Sequence, residues 1–160
     1  MEFNIREINS GDIKQVQQVA KRSWYHTYEG IIPLQIQESF LKSAYNDEMM
    51  QRRLESSFIY VSEVDGKIVG FANFSPVEDG KTELLAIYLN PEYQGKGIGT
   101  ALLNEGIKNL EGAKQVFINV EKENNIGTTF YQAKGFKVVS EFDDDFDGHT
   151  LKTVRMVLKM

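Results

Sequence analysis

The sequence predicts an α/β protein with a mixed β-sheet and helices on both of its faces. Three observations carry that expectation. Two alternating apolar runs, 58–64 and 67–74, flank Asp65-Gly66, a pair that supplies the positive φ angles of a tight hairpin turn. Two further strand-like runs, 83–89 and 116–120, each lead into a helix-like segment. The chain then closes on two strand-like runs around an acidic turn. The resulting order is β, helices, ββ, βα, βα, ββ, which suits a mixed sheet covered on both sides.

Each element has its own reason. Residues 3–8, FNIREI, alternate and read as a first strand. Ser10 or Asp12 can cap the helix that follows, with Ile13, Val16, Val19 and Ala20 on its inner face, an end at Tyr28 and a stop near Gly30. Pro33 and Asn46-Asp47 mark the starts of further helices in QIQESFLKSA and EMMQRRLESS. After the hairpin, Glu78-Asp79-Gly80 turns the chain into strand 83–89. A glycine-rich stretch and a helix ending at Leu110 follow, then strand 116–120, helix 125–134, strand 136–142, the acidic turn and strand 150–158. No repeat or linker interrupts the chain, so residues 1–160 are expected to form one domain.

Composition narrows the function. The 160 residues are 41% hydrophobic and 26% charged, enough for one full core. The net charge of −5 argues against a general affinity for nucleic acid or anionic membrane. With no cysteine, disulfides, thiolate zinc sites and cysteine nucleophiles are excluded. No apolar run is long enough to span a bilayer and MEFNIREINSGD has no secretory h-region, so a cytoplasmic protein is expected.

The most informative stretch is YLNPEYQGKGIGTALLNEGI, residues 88–107, where Gly95, Gly97 and Gly99 alternate between a strand and a helix. The first N–H groups of a helix lack intrahelical partners, and the helix dipole adds partial positive charge there. Glycine lets a phosphate approach the backbone with no Cβ in the way. Lys96 and the Thr100 hydroxyl can add to such a site. One or two glycines would suffice to cap a turn; three on alternate positions point to a pyrophosphate. The dinucleotide fingerprint fails at Thr100, and the P-loop matches only its tail at Gly80-Lys81-Thr82.

Gln94-Gly95-Lys96-Gly97-Ile98-Gly99, read as Q-x-x-G-x-G, resembles the acetyl-CoA pyrophosphate loop of the GCN5-related N-acetyltransferase (GNAT) superfamily. Residues 85–91, LAIYLNP, resemble that family's central strand and its exit. Its second motif is similar to Asn124, Tyr131 and Gly135-Phe136 in NNIGTTFYQAKGF, with one departure at Gly127, where alanine is commoner. The resemblance runs over essentially the whole chain. It implies a GNAT-type fold and acetyl-CoA as co-substrate, with no metal.

The resemblance also implies roles. Without cysteine, the acetyl group would pass directly to the acceptor amine within a ternary complex, and orientation would supply much of the catalysis. Tyr131 is the candidate acid for the leaving thiolate; the plainer reading is a core tyrosine with its hydroxyl at the rim. Asn124 either bonds the pantetheine arm or caps its helix. Glu83 occupies the position that holds a general base in some members, or is an exposed strand-end carboxylate. Family comparison gives Ile87 N–H the task of polarising the thioester carbonyl, and lets Tyr88 and Leu89 pair with pantetheine amides as an added strand would.

On the acceptor side, residues 23–33, SWYHTYEGIIP, resemble the W-x3-Y-x-G-I-x-P loop of many bacterial small-molecule members. Trp24, Tyr25, Tyr28 and Glu29 are the candidates to line the acceptor pocket, although Trp24 and Tyr28 can also pack on one helix face. His26 reads as a surface or packing histidine. Residues 141–149, EFDDDFDGH, mimic a calcium loop but lack its closing glutamate, because position 154 is Val. They read as a solvated turn, or as an acidic rim that steers a cationic amine such as a polyamine. The resemblance therefore implies an N-acetyltransferase acting on a primary amine of a small molecule. The alternatives are a protein or peptide N-terminal acetyltransferase, and a CoA-binding sensor, which would need no acid at Tyr131. A homodimer is common in such folds.

Overall fold

A computed structural model describes residues 1–160. Seven strands form one sheet: β1 (Asn4–Glu7), β2 (Phe58–Val64), β3 (Lys67–Phe74), β4 (Lys81–Leu89), β5 (Gln115–Glu121), β6 (Lys137–Phe146) and β7 (His149–Lys159). Their order is β1-β2-β3-β4-β5-β7-β6, antiparallel throughout except between β4 and β5. Five helices complete the fold: α1 (Ile13–Tyr28), α2 (Leu34–Ala44), α3 (Asp47–Ser56), α4 (Ile98–Asn109) and α5 (Asn125–Ala133). Successive strand side chains point to opposite faces, so the sheet carries two cores. One packs Phe74, Leu84 and Val116 against Leu102 and Leu103 of α4 and Tyr131 of α5. The other packs Ile59, Val61 and Phe71 against Val16, Val19 and Trp24 of α1, Leu41 of α2 and Met50 of α3.

Local chemistry sets most element ends. Asn46 caps α3, its side chain accepting from Met49 N at 2.8 Å, and Pro33 stands just before α2. The first helical turn is capped differently from the sequence reading. Asn9 accepts from Gly11 N at 2.9 Å, while Asp12 is buried and accepts from Asn9 N at 2.8 Å and from Arg6 at 2.7 and 2.9 Å. Asp12 thus serves an ion pair as well as the turn.

The acidic segment also departs from expectation. Asp143–Asp145 do not form a turn. β6 continues through them to Phe146, and Asp147-Gly148 alone makes the turn, with φ of 51° and 82°. Phe146 gives the strand a reason to extend. Its ring lies 5.9 Å from that of Trp24 and 5.2 Å from that of Phe40, so the hairpin tip is anchored to α1 and α2.

The feature that creates a site is a split in the sheet. β4 and β5 pair only from Lys81↔Gln115 to Glu83↔Phe117 and then diverge. Beside the split, β3 pairs Asn73 with Ala86 and Phe74 with Leu84, leaving Leu85 as an extra, exposed residue. A bulge of this kind bends a strand and sharpens its twist, which turns β4 away from its parallel neighbour.

Candidate active site

The diverging strands enclose a cavity of about 500 Å³. β4 supplies one wall through Leu85–Leu89 and β5 the other through Ile118, Asn119 and Val120. Beyond Glu83 no strand pairs with this side of β4. Alternate backbone N–H and C=O groups of that segment therefore face the cleft with hydrogen-bonding capacity to spare. Ile87, Tyr88 and Leu89 all line it.

The glycine loop closes one end. Gly95 and Gly97 adopt φ of 75° and 85°, and a Cβ at either would meet nothing within 4 Å. The left-handed backbone demands glycine there, and the space in front of it is open. Gly97 is the residue before α4 and gives no side-chain cap. Ala101 N makes the first helical bond, to Gly97 O at 3.1 Å, so the N–H groups of Ile98, Gly99 and Thr100 have no helical partner. Gly99 has a different task. Its Cβ would lie 3.3 Å from the Phe130 ring, so it permits close packing of α4 on α5. Gln94 and Thr100 stand on the cavity wall. The Ile98 side chain is fully buried, leaving only its backbone to the site, and Lys96 is exposed and off the wall.

α5 brings Asn124 and Tyr131 to the same cavity. Asn124 caps the helix, its Oδ1 accepting from Gly127 N at 2.9 Å, while also lining the cleft. The structure explains the glycine at 127: a Cβ would lie 2.6 Å from Asn124 Nδ2. Tyr131 is held edge-on between Phe130 and Phe136, at 5.3 and 5.4 Å. Burial, reinforced by the nearby hydroxyls of Tyr88 and Tyr28, pushes its phenol well above the ordinary tyrosine range. Burial likewise raises Tyr28, helped by Tyr88 and the Glu121 carboxylate. These phenols keep their protons at neutral pH.

The other end of the cavity is built by the last turns of α1. Trp24 and Tyr28, one helical turn apart, pack with ring centroids at 4.5 Å and line the cleft together. His26 and Thr27 also reach the wall. Tyr25 points elsewhere, into a groove between α1 and α2, because adjacent helix positions are about 100° apart. Glu29 lies exposed beyond the end of α1 and off the wall.

Glu83 is also not brought to the cavity wall. Its two carboxylate oxygens are engaged by Arg155, one by Nη2 and the other by Nη1 at 3.3 Å. Arg155 in turn donates to Asn119 Oδ1 at 2.9 Å and lies over the Phe117 ring at 4.5 Å. The pair sits where β4 and β5 part, and it fastens β4 to β7 across β5. Sequence reasoning missed Leu85, Asn119 and Phe130, which line the cavity. Phe130, next to Tyr131 and three residues into the helix from Gly127, was the one with a signal: an aromatic facing the small residue Gly99.

A sheet split by a bulge, with a helix N-terminus at the cleft and an enclosed phenol along it, is the architecture of an acyl-CoA-dependent transferase. The Acetyltransferase (GNAT) family profile matches residues 16–136. A spermidine N(1)-acetyltransferase from Thermoplasma acidophilum is 32% identical over 155 residues, covering 91% of this chain and 95% of that one. Among solved structures, PaiA N-acetyltransferase from Thermoplasma acidophilum in complex with coenzyme A superposes with a TM-score of 0.87 at 30% identity, covering 100% of both chains. YncA from Salmonella typhimurium with its cofactor acetyl-CoA, 20% identical, covers 99% of this chain and 94% of its own with a TM-score of 0.72, a likeness of fold. The chain belongs to the GNAT acetyltransferase family, and it is an N-acetyltransferase.

Proposed function

We propose that this enzyme transfers the acetyl group of acetyl-CoA directly to a primary amine of a small polycationic molecule of the polyamine class. Acetyl-CoA supplies an acyl group already activated as a thioester. Gly95, Gly97 and the N–H groups of Ile98–Thr100 would hold its diphosphate, with Gln94 beside them. The exposed backbone of Tyr88 and Leu89 and the Asn124 amide would hold the pantetheine arm. Ile87 N–H stabilises negative charge on the acyl oxygen. Tyr131 Oη keeps a proton for the departing sulfur. Glu83 is occupied by Arg155, so in this reading the amine sheds its proton to solvent and Glu83 braces the split.

The observation that carries the acceptor class is the docking of Phe146. Phe146 packs on Trp24 and Phe40, and Asp144, two residues earlier on the same strand, shares its face, so the acidic strand 143–145 would form a rim beside the helices that carry the acceptor candidates. A cationic amine is steered toward such a rim. The likeness to a spermidine N(1)-acetyltransferase supports the same reading. Thiol release should be followed with spermidine, putrescine, neutral amines and peptides as acceptors. Spermidine-dependent release is expected, with KM raised several-fold by Asp143, Asp144 and Asp145→Asn at low salt and the difference shrinking at high salt. Turnover of peptide N-termini without turnover of polyamines would replace the acceptor class. Binding of acetyl-CoA with no amine-dependent thiol release would make the protein a sensor.

A further inference from the structure

We propose a second ligand site, for a nucleoside polyphosphate, in the groove between α1 and α2. The groove measures about 610 Å³ and shares no lining residue with the catalytic cavity. Lys14, Lys21 and Tyr25 line it from α1, spaced seven and four residues apart on one helix face. Lys42 faces them from α2.

Charge marks the groove as an anion site. In a chain of net charge −5, it collects three ammonium groups against one carboxylate, Glu38. None of these four side chains enters an ion pair. Three exposed, unpaired lysines lining one groove can together meet the several negative charges of a polyphosphate.

Tyr25 adds the second half of the match. Its half-buried ring lies against the α1/α2 core but pairs with no other aromatic side chain, whereas Trp24 pairs with Tyr28 and Phe40, and Phe40 with Tyr45. An unpaired ring beside lysines offers a face for a planar base. The groove floor, Leu41 and Tyr45, connects to the acceptor end of the enzyme. Tyr45 meets the ring of Tyr88, a wall of the catalytic cavity, edge-on at 6.3 Å. An occupant would therefore act on the acceptor half of the reaction without touching the glycine loop.

The test uses the full chain saturated with coenzyme A, so that the diphosphate site is already filled. ATP and, separately, inorganic tripolyphosphate are titrated while backbone amide resonances are followed. ATP should perturb α1 and α2, bind more tightly than tripolyphosphate, and weaken as salt is raised. Lys14, Lys21 and Lys42→Gln together should lower its affinity about tenfold, the sum of three exposed charge contacts, with coenzyme A affinity unchanged. Tyr25→Ala should weaken ATP and leave tripolyphosphate unaltered. In steady state, ATP should change KM for the amine and not for acetyl-CoA. The proposal is overturned by an absence of perturbation at millimolar ATP and low salt, by shifts confined to the glycine loop, or by unchanged affinity in the lysine variant. Equal affinities for ATP and tripolyphosphate overturn the nucleotide assignment.

Discussion

Tyr131 shows how surroundings assign a chemical role. Enclosure between Phe130 and Phe136 keeps the phenol protonated at neutral pH, so a proton is present on Tyr131, while the same burial makes its release costly unless a developing thiolate takes it up. Tyr131→Phe keeps the ring and removes the proton. Its kcat should fall about 100-fold, with acetyl-CoA affinity changed by less than about threefold; steady-state thiol release and calorimetry check this. Gly97 carries a different kind of necessity. Alanine at φ 85° costs roughly 1–2 kcal/mol of backbone strain, and its methyl would project into the open space before α4, where the proposed diphosphate would lie. Gly97→Ala should weaken acetyl-CoA binding about tenfold or more, measured by titration calorimetry. Motif spacing, with the family resemblance, singles out both residues in the sequence, and the structure puts both on the cavity wall. Glu83 was not. Its position on β4 suggested a base, and the partner that occupies it, Arg155, lies on a strand far along the chain.

At the scale of elements, the glycines of α4 divide by what they touch. Gly106 sits in mid-helix, where alanine should gain about 1 kcal/mol of helix propensity. The packing decides otherwise. A Cβ there would lie 2.1 Å from Cε2 of Phe74, a fully buried ring of β3. Overpacking costs roughly 1–3 kcal/mol, so Gly106→Ala should be destabilising on balance despite the propensity gain. Thermal unfolding should show a midpoint lower by roughly 2–4 °C per kcal/mol lost. Element existence was readable because capping residues and turn pairs act on their immediate neighbours, as Asn46 and Asp65-Gly66 do. The length of β6 was not readable. Five carboxylates between 141 and 147 look like a turn until Phe146 has Trp24 and Phe40 to pack against.

For the whole molecule, the buried tyrosines set the alkaline limit. Burial raises Tyr28, Tyr45, Tyr88 and Tyr131 in the folded state. Below about pH 10, folded and unfolded chains both keep these protons and stability is unaffected. Above it the unfolded chain releases protons that the folded chain retains, so stability falls as pH rises. Each tyrosine contributes up to about 1.4 kcal/mol per pH unit. The unfolding midpoint in denaturant should be flat between about pH 7 and 9 and drop steeply above about pH 10. Tyr131→Phe should shallow that drop by one proton's worth, whatever it does to activity.

The sequence by itself determined what neighbouring residues decide: the hairpin at Asp65-Gly66, the open glycine loop before α4, and the Asn124-to-Tyr131 spacing on α5. These depend on backbone dihedrals, capping and helical period, all of which act within a few residues. Only the tertiary structure decided that β4 and β5 part after Glu83, that Tyr25 turns away from Trp24 and Tyr28 into a groove of its own, and that Phe146 packs the acidic hairpin against α1 and α2. Those outcomes are contacts between distant segments, and they are selected by the packing of the two cores against one bent sheet, which no local pattern encodes.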